Sequence, residues 1–190
     1  MDSYPQGQIN VPLFSICLTT LNDRDDLLRQ TLASILSQTF EDFEVVIGNN
    51  NPERPLSSGM LGIDDARIRI INHPQNLGQL GNLSRLLELG RGRYITFIAD
   101  DDLYAPDFLA AMHEGLKRFD FPPCIFTSYH LHYGSSQPVL SKQFSGQATL
   151  YSGADFLRSY LMEQIKAIGS MGMFEIEYLK RTEGIEDVSA

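Results

Sequence analysis

Apolar and polar positions along this chain change their period in blocks. "LFSICLTT" (13–20) is a short apolar run rich in β-formers and predicts a buried strand. Beyond the polar break "LNDRDD", Leu28, Leu32, Ile35 and Leu36 recur at helical spacing and predict a helix over 25–38. "FEVVIG" (43–48) predicts a second buried strand, and the following "NNNPERP" has the Asn and Pro content of a turn. "ARIRIIN" (66–72) predicts a third strand. A helix over 76–90 then carries Leu80, Leu83, Leu86 and Leu87 on one side and stops at Gly90. "RYITFIA" (93–99) predicts a fourth strand, and 106–119 a helix with Pro106 in its first turn and Leu109, Met112, Leu116 and Phe119 on one face.

Strands alternating with helices through the first 120 residues imply βαβ units and a mostly parallel sheet covered on both faces. Ligands of such sheets bind beyond the carboxyl ends of the strands. The polar segments 20–26, 48–51 and 100–102 all follow strands, so all three are expected along one edge. After residue 120 the texture changes. "PPCIFTSYHLHYG" (122–134) reads as a strand, and Ser152 with Asp155 three positions on resembles a capping box opening another helix. "GSMGMFEIEYLKRTEG" then reads as an apolar crossing, a helix and a glycine stop. No repeat and no long linker interrupts the chain, so a single domain is expected.

Composition changes this picture little. The chain has 190 residues, 43% hydrophobic and 21% charged, enough for a substantial core. Its net charge of −9 argues against nucleic acid as a partner, because phosphates are neutralised by Lys and Arg. Cys17 and Cys124 each stand in an apolar run and read as buried, reduced thiols. The first twelve residues have no signal-peptide character, and no apolar stretch approaches the ~18 residues that span a bilayer. A cytoplasmic protein is the expectation.

The feature that bears on chemistry is "YITFIADDDLYAPDFL" (94–109), where three aspartates follow an apolar strand. Adjacent like charges repel unless water, donor groups or a cation holds them. Asp100, Asp101 and Asp102 could form a solvated loop cap that accepts backbone N–H groups. They could equally hold a hard divalent cation, since Mg²⁺ and Mn²⁺ prefer oxygen and Mg²⁺ often uses one or two carboxylates plus substrate phosphates. An EF-hand is a poor alternative, because the run is contiguous and the glycine and distal Glu of that loop are absent. His130 and His132 share a strand face but lack a third ligand, and Arg91 and Arg93 lie at the opposite strand end. Both pairs read as surface residues. Asn76-Leu-Gly78 serves either as a turn into its helix or as a nucleotide contact.

At this point the ordered motifs resemble a known family. "FSICLTTLNDRDDLLRQTLASILSQTFEDFEVVIGNNN" and "ARIRIINHPQNLGQLGNLSRLLELGRGRYITFIADDDLYAPDFL" are similar to the opening and central blocks of the inverting family 2 glycosyltransferases, which have a GT-A fold. The resemblance runs from about residue 12 to 120 and weakly to about 185. It implies a GT-A, Rossmann-like α/β domain. Residues 1–11 would form a tail, 12–120 a core that binds a nucleotide sugar, and 121–190 the beginning of an acceptor-side half. It implies Mn²⁺ or Mg²⁺ as cofactor, a nucleotide-sugar donor, and a carbohydrate or glycoconjugate acceptor in polysaccharide or glycoconjugate synthesis. By position, Asp100 to Asp102 match the family's acidic motif, with Asp101 and Asp102 at the metal and Asp100 beside the nucleotide. Thr20 and Asn22 match the turn that borders the nucleotide, and Asn76 the turn near it. Asn49 stands where many members carry an aspartate that accepts from uracil. An amide both donates and accepts, so a UDP-sugar is the first expectation, with dTDP and GDP sugars left open.

The implied reaction transfers a glycosyl group to an acceptor hydroxyl with inversion, and it needs a carboxylate base. Glu186 and Asp187 are the late candidates, but "RTEGIED" looks like a turn that precedes the family's base. The chain is therefore expected to carry the donor half, with acceptor contacts and any peripheral membrane association supplied by sequence beyond Ala190. Two rival classes remain. One is a nucleotide-binding member without turnover; the other is a metal-dependent nucleotidyl-transfer enzyme, disfavoured because "TTLNDRDD" is neither Gly-rich nor basic.

Overall fold

Residues 11–21, 24–131, 139–140, 148–165, 167 and 169–182 are described by the computed structural model. Four strands carry the centre: β1 (Phe14–Thr20), β2 (Phe43–Asn49), β3 (Ile68–Asn72) and β4 (Tyr94–Ala99). They pair in parallel in the order β3-β2-β1-β4. The helices between them are α1 (Asp25–Leu36), the one-turn α2 (Ser58–Leu61) and α3 (Gly78–Leu89), and α4 (Phe108–Arg118) follows β4. A parallel strand covered on both faces has no polar side, and every residue of β2 is buried.

Side chains from the two sheet faces form two apolar clusters. Phe14, Ile16, Leu18, Val45, Ile47 and Ile98 point one way, into Leu28, Leu32 and Ile35 of α1 and Leu109, Met112 and Leu116 of α4. Cys17, Val46 and Ile95 point the other way, toward Leu86 and Leu87 of α3. Alternation along each strand divides these two sets.

Order β3-β2-β1-β4 means that the chain steps outward from β1 through β2 to β3 and then returns to the other side of β1. The carboxyl ends of β1 and β4 therefore diverge into connections on opposite sides, and such a switch point opens a crevice for ligands. Thr20 ends β1, and Asp100 follows β4 directly.

Later residues join the same sheet in a way their sequence did not disclose. β8 (Gly172–Glu175) runs antiparallel to β4 and to β5 (Cys124–Phe126) and is inserted between them. The sheet is thus mixed at this edge. The strand expected over 122–134 is two short ones: β5, and β6 (His130–Leu131), which pairs with β7 (Val139–Leu140) in a separate ribbon. Phe126 pairs with Gly172, the first residue of β8, and a single further backbone bond, Thr127 N to Met171 O at 3.0 Å, continues the contact past the strand end. α5 (Gly153–Leu161) is capped at Ser152, whose Oγ accepts from Asp155 N. α6 (Ile176–Arg181) follows β8.

Cys17 is sealed, and burial pushes its thiol far above the ordinary value. Cys124, expected to be buried, is exposed because β5 is an edge strand. The apolar row expected on α3 is also modified. Leu86 and Leu87 are buried, but Leu80 is exposed and Asn82 takes an inward place. Asn82 donates to Gly48 O and bonds His73 Nε2 at 2.9 Å. A Cβ on Gly48 would collide with Asn82 Oδ1, which explains a glycine inside a buried strand. No helix among the described residues is long and apolar enough to cross a membrane.

Candidate functional site

The crevice side of the sheet collects the three polar segments. Asn50 N donates to Thr20 O, tying the end of β2 to the end of β1. Thr20 Oγ1 donates to Asp100 Oδ2 at 2.5 Å across the switch point. Asp100 is 2% exposed, so a carboxylate is sealed beside a hydroxyl at the floor of the crevice. Its other oxygen accepts from Arg24 Nη2 at 2.5 Å, while Arg24 Nη1 reaches Asp101 Oδ2 at 2.9 Å. One guanidinium thus bridges two consecutive carboxylates, and like charges side by side are tolerated because a cation stands between them.

Asp102 is handled differently. Its N donates to Ala99 O and its carbonyl accepts from Thr31 Oγ1 at 2.9 Å, so its backbone closes the turn. Burial and the charge of Asp101 push its carboxyl above the usual carboxylate value. Its chain neighbours are held from below by α1. Ser34 Oγ accepts from Tyr104 N, Gln38 Nε2 donates to Ala105 O at 2.7 Å, and Gln38 Oε1 accepts from Leu109 N at 2.9 Å. Thr31 and Ser34 lie one turn apart on α1, and Gln38, just past the helix end, folds back to donate to Ser34 O and so continues their line. That row anchors the backbone of the whole acidic loop. Tyr104 completes the support by stacking on Phe108 at 4.1 Å and bonding Thr96 Oγ1.

The β2 end is an amide cluster. Asn49 is 2% exposed. Its Nδ2 donates to Asn51 O, Arg54 O and Asn72 Oδ1, and its Oδ1 accepts from Asn51 N. Asn50 is also buried; it donates to Asn76 Oδ1 and Gly78 O and accepts from Leu77 N. Asn76 is exposed and caps the turn by accepting from Gly78 N. Thr20 and Asp100 are thus in direct side-chain contact, and Asp101 is joined to Asp100 through Arg24. Asn49 and Asn76 stand on the same edge, and their amides tie together the loops beyond β2 and β3. Asn22, Glu186 and Asp187 lie outside the described residues.

Sequence reasoning passed over Arg24 and the row on α1. The row did carry a signal: Thr31 and Ser34 are polar residues at helical spacing beside an apolar stripe, with the polar Gln38 following the helix end. Arg24 carried none, because a single Arg in "NDRDD" reads as solvated charge. Its neighbourhood is also charged. A cleft of about 390 Å³ beside the acidic pair is lined by Arg24, Asp25, Asp26, Leu27, Arg29 and Arg54. The Arg54 fork donates two hydrogen bonds to Asp25, at 2.8 and 2.7 Å, and these hold that carboxyl below its usual value.

Among the described residues no three His, Cys, Asp or Glu side chains converge as a ready-made metal cage. The donor set still fits a hard cation. Asp100 and Asp101 both reach one positive group, and Mg²⁺ or Mn²⁺ sites are commonly built on one or two carboxylates with phosphate and water completing the shell.

Comparison with known proteins follows the same line. The chain is 28% identical over 144 residues to GalNAc(5)-diNAcBac-PP-undecaprenol beta-1,3-glucosyltransferase of Campylobacter jejuni, covering 72% of this chain and 43% of that one. It is 26% identical over 142 residues to the UDP-Glc:alpha-D-GlcNAc-diphosphoundecaprenol beta-1,3-glucosyltransferase WfaP of Escherichia coli, covering 75% and 55%. The chain therefore spans about half the length of these curated relatives. Among solved structures, S. aureus TarS 1–349 superposes with a TM-score of 0.68 at 16% identity, over 90% of this chain and 49% of that one. The mannosyltransferase PcManGT of Pyrobaculum calidifontis, in complex with GDP-Man and Mn²⁺, superposes with a TM-score of 0.60 at 16% identity, over 91% and 47%. These two establish the GT-A-like fold. The profile of Glycosyl transferase family 2 matches residues 15–165, more than half of the chain, and the protein belongs to that family.

Proposed function

We propose that this chain is the donor-binding part of an inverting glycosyltransferase. It takes a nucleoside diphosphate sugar, UDP-linked by first expectation, and presents it for transfer to a hydroxyl of a carbohydrate or glycoconjugate. The observation that carries this reading is the contact of Thr20, Arg24, Asp100 and Asp101 across the β1/β4 switch point. Two relatives are named as glucosyltransferases that act on diphosphoundecaprenol-linked sugars, one of them with UDP-Glc, which supports a UDP-sugar and a lipid-linked glycan acceptor. The fold alone leaves the base open, since related structures hold UDP-GlcNAc or GDP-Man.

Each residue then has a defined task. Asp100 lies against the nucleotide side of the crevice, its carboxylate held by Thr20. Asp101, whose side chain is 46% exposed, faces outward and, with Asp102, takes the divalent cation. That cation, when bound, supplies Lewis-acid stabilisation of the diphosphate leaving group. Asn49 shapes the base pocket through the loop its amide organises. Residues 121–190 begin the acceptor side. Deprotonation of the acceptor hydroxyl requires a carboxylate base, for which Glu186 and Asp187 are the positions the sequence offers.

Calorimetry of Asp101→Asn with UDP, dTDP, GDP and ATP, with and without Mn²⁺, tests the reading. The unsubstituted protein is expected to bind UDP more tightly when Mn²⁺ is present and to ignore ATP. The variant should lose the Mn²⁺-dependent part of its affinity, a drop of about tenfold or more, and retain its melting temperature. Equal UDP affinity for both proteins under both conditions would remove Asp101 from the metal site.

A further inference from the structure

The acidic pair already has a cation on it, and that cation is a side chain. Arg24 Nη2 meets Asp100 Oδ1 at 2.5 Å and Nη1 meets Asp101 Oδ2 at 2.9 Å. With Thr20 on Oδ2, each oxygen of Asp100 has a donor. A divalent ion held by Asp101 and Asp102 would have to share the Asp101 carboxylate with this guanidinium, which stands 2.9 Å from Asp101 Oδ2. Two cations within a few ångströms repel strongly at a half-buried edge.

Arg24 also differs from the arginines that serve this fold as structure. Arg69 uses both Nε and Nη2 on Glu44 and adds Leu89 O, and Arg67 grips Asp65 with Nε and Nη2. Arg24 Nε is buried with no partner among the described residues. A permanent structural pair would satisfy that donor, because a buried N–H without an acceptor is costly. Arg24 has a route out as well. Its side chain is 39% exposed, it precedes α1 rather than sitting within it, and it lines the cleft of about 390 Å³ that it shares with Asp25 and Asp26. Asp26 is almost fully exposed and is paired with Arg29 at the helix surface.

We propose that Arg24 is a displaceable latch on the donor site: its guanidinium bridges Asp100 and Asp101 in the ligand-free protein, and a divalent cation must expel it from Asp101 to bind at Asp101 and Asp102. This deepens the donor-site reading and rests on it. The latch lowers affinity for the cation alone and makes cation binding depend on the nucleotide diphosphate, whose negative charge supports the incoming ion and gives the released guanidinium an anion to face.

The test counts bound Mn²⁺ directly, by loss of the free Mn²⁺ electron paramagnetic resonance signal, on the whole 190-residue chain stripped of metal. Arg24→Gln is expected to tighten binding of Mn²⁺ alone by at least about tenfold, since it removes a positive charge adjacent to the ion. Arg24→Lys, which keeps the charge but loses the fork, should fall between the two and carries the test if the glutamine variant does not fold. Adding Asp101→Asn to Arg24→Gln should abolish the gain. UDP should raise Mn²⁺ affinity in the unsubstituted protein far more than in Arg24→Gln. If the unsubstituted protein binds Mn²⁺ with UDP but neither Arg24 variant tightens Mn²⁺ alone, the latch is wrong and the donor site stands. Should Arg24→Gln instead lose UDP binding in the presence of EDTA while Mn²⁺ has no effect on either protein, Arg24 is a permanent diphosphate ligand and the latch falls. Absence of Mn²⁺ binding in every protein, with and without UDP, overturns both readings.

Discussion

Glu44, near the start of β2, and Asp100, directly after the end of β4, are nearly buried carboxylates at opposite edges of the same parallel sheet. Their side chains are 10% and 3% exposed. Glu44, near the start of β2, accepts from Ser15 Oγ at 2.7 Å, from Arg91 N at 2.6 Å, and from Arg69 through Nε and Nη2. Arg69 extends from β3 to close the end of α3 at Leu89 O. Gly92 completes that corner: a Cβ there would lie 2.6 Å from Ser15 N and 2.8 Å from Phe14 C, backbone atoms that have no room to yield. At the other end, Asp100 has Thr20 from a rigid strand and Arg24 from a connection, and Arg24 is shared with an exposed neighbour. A buried charge held by side chains of two neighbouring strands and by a backbone N–H is architecture. One that depends on a half-exposed side chain with a spare N–H is arranged to exchange that partner.

This contrast can be broken most decisively at Glu44. Glu44→Ala leaves Arg69 and the Ser15 corner without their acceptor. It should cost about 3 kcal/mol of stability in urea denaturation, as expected for removing one partner of a buried pair. UDP affinity of the folded fraction should be unchanged. A loss below about 1 kcal/mol, or a large change in UDP binding, would dissolve the distinction between the two ends.

Thr20→Val is the intermediate case. It removes the fixed donor to Asp100 and leaves the carboxylate to Arg24 alone. The expected cost is about 1.5 kcal/mol, the range for a hydrogen bond to a charged group. The same variant should weaken UDP binding, which Glu44→Ala should not, and paired denaturation and calorimetry would show that crossover or its absence.

Asp102→Asn should have the smallest effect, and its sign is set by pH. Burial and the neighbouring charge of Asp101 hold the Asp102 carboxyl above its ordinary value of 3.8. Its protonated form is therefore favoured in the folded state. The associated stability is present below pH 3.8 and is lost as pH rises through the folded value. The asparagine variant should match the unsubstituted protein in melting temperature at pH 3.5 and slightly exceed it at pH 7. A variant less stable at pH 7 would mean that the charged form of Asp102 has a partner that supports it.

Much of the frame was legible in the residue pattern. The four parallel strands and the helices α1, α3 and α4 lie where period and turn chemistry placed them, with ends shifted by a residue or two. Continuous apolar runs of six or seven residues bounded by Asn and Pro admit few other readings. The carboxyl-edge location of "ADDD" followed from the same pattern, since every connection out of a parallel strand begins on that side. Beyond residue 120 the reading was coarser. Strands of two to four residues are too short to show a period, and β8 could not be assigned to the gap between β4 and β5 from its own sequence.

What the sequence determined by itself was therefore local: which segments are strands, which faces are apolar, which carboxylates follow β4, and a motif order shared with glycosyl transferase family 2. Tertiary structure alone decided which of those charges meet. Asp100 and Arg24 are 76 positions apart, and Thr20 and Asp100 are 80 apart. They come together because β1 and β4 are neighbours in the sheet although two strands separate them in the chain. Which donors stand against those aspartates likewise depended on burial and on the place of the Arg24 guanidinium, because hydrogen bonds and charges act through distance in space, and chain spacing records that distance only within a single helix or strand.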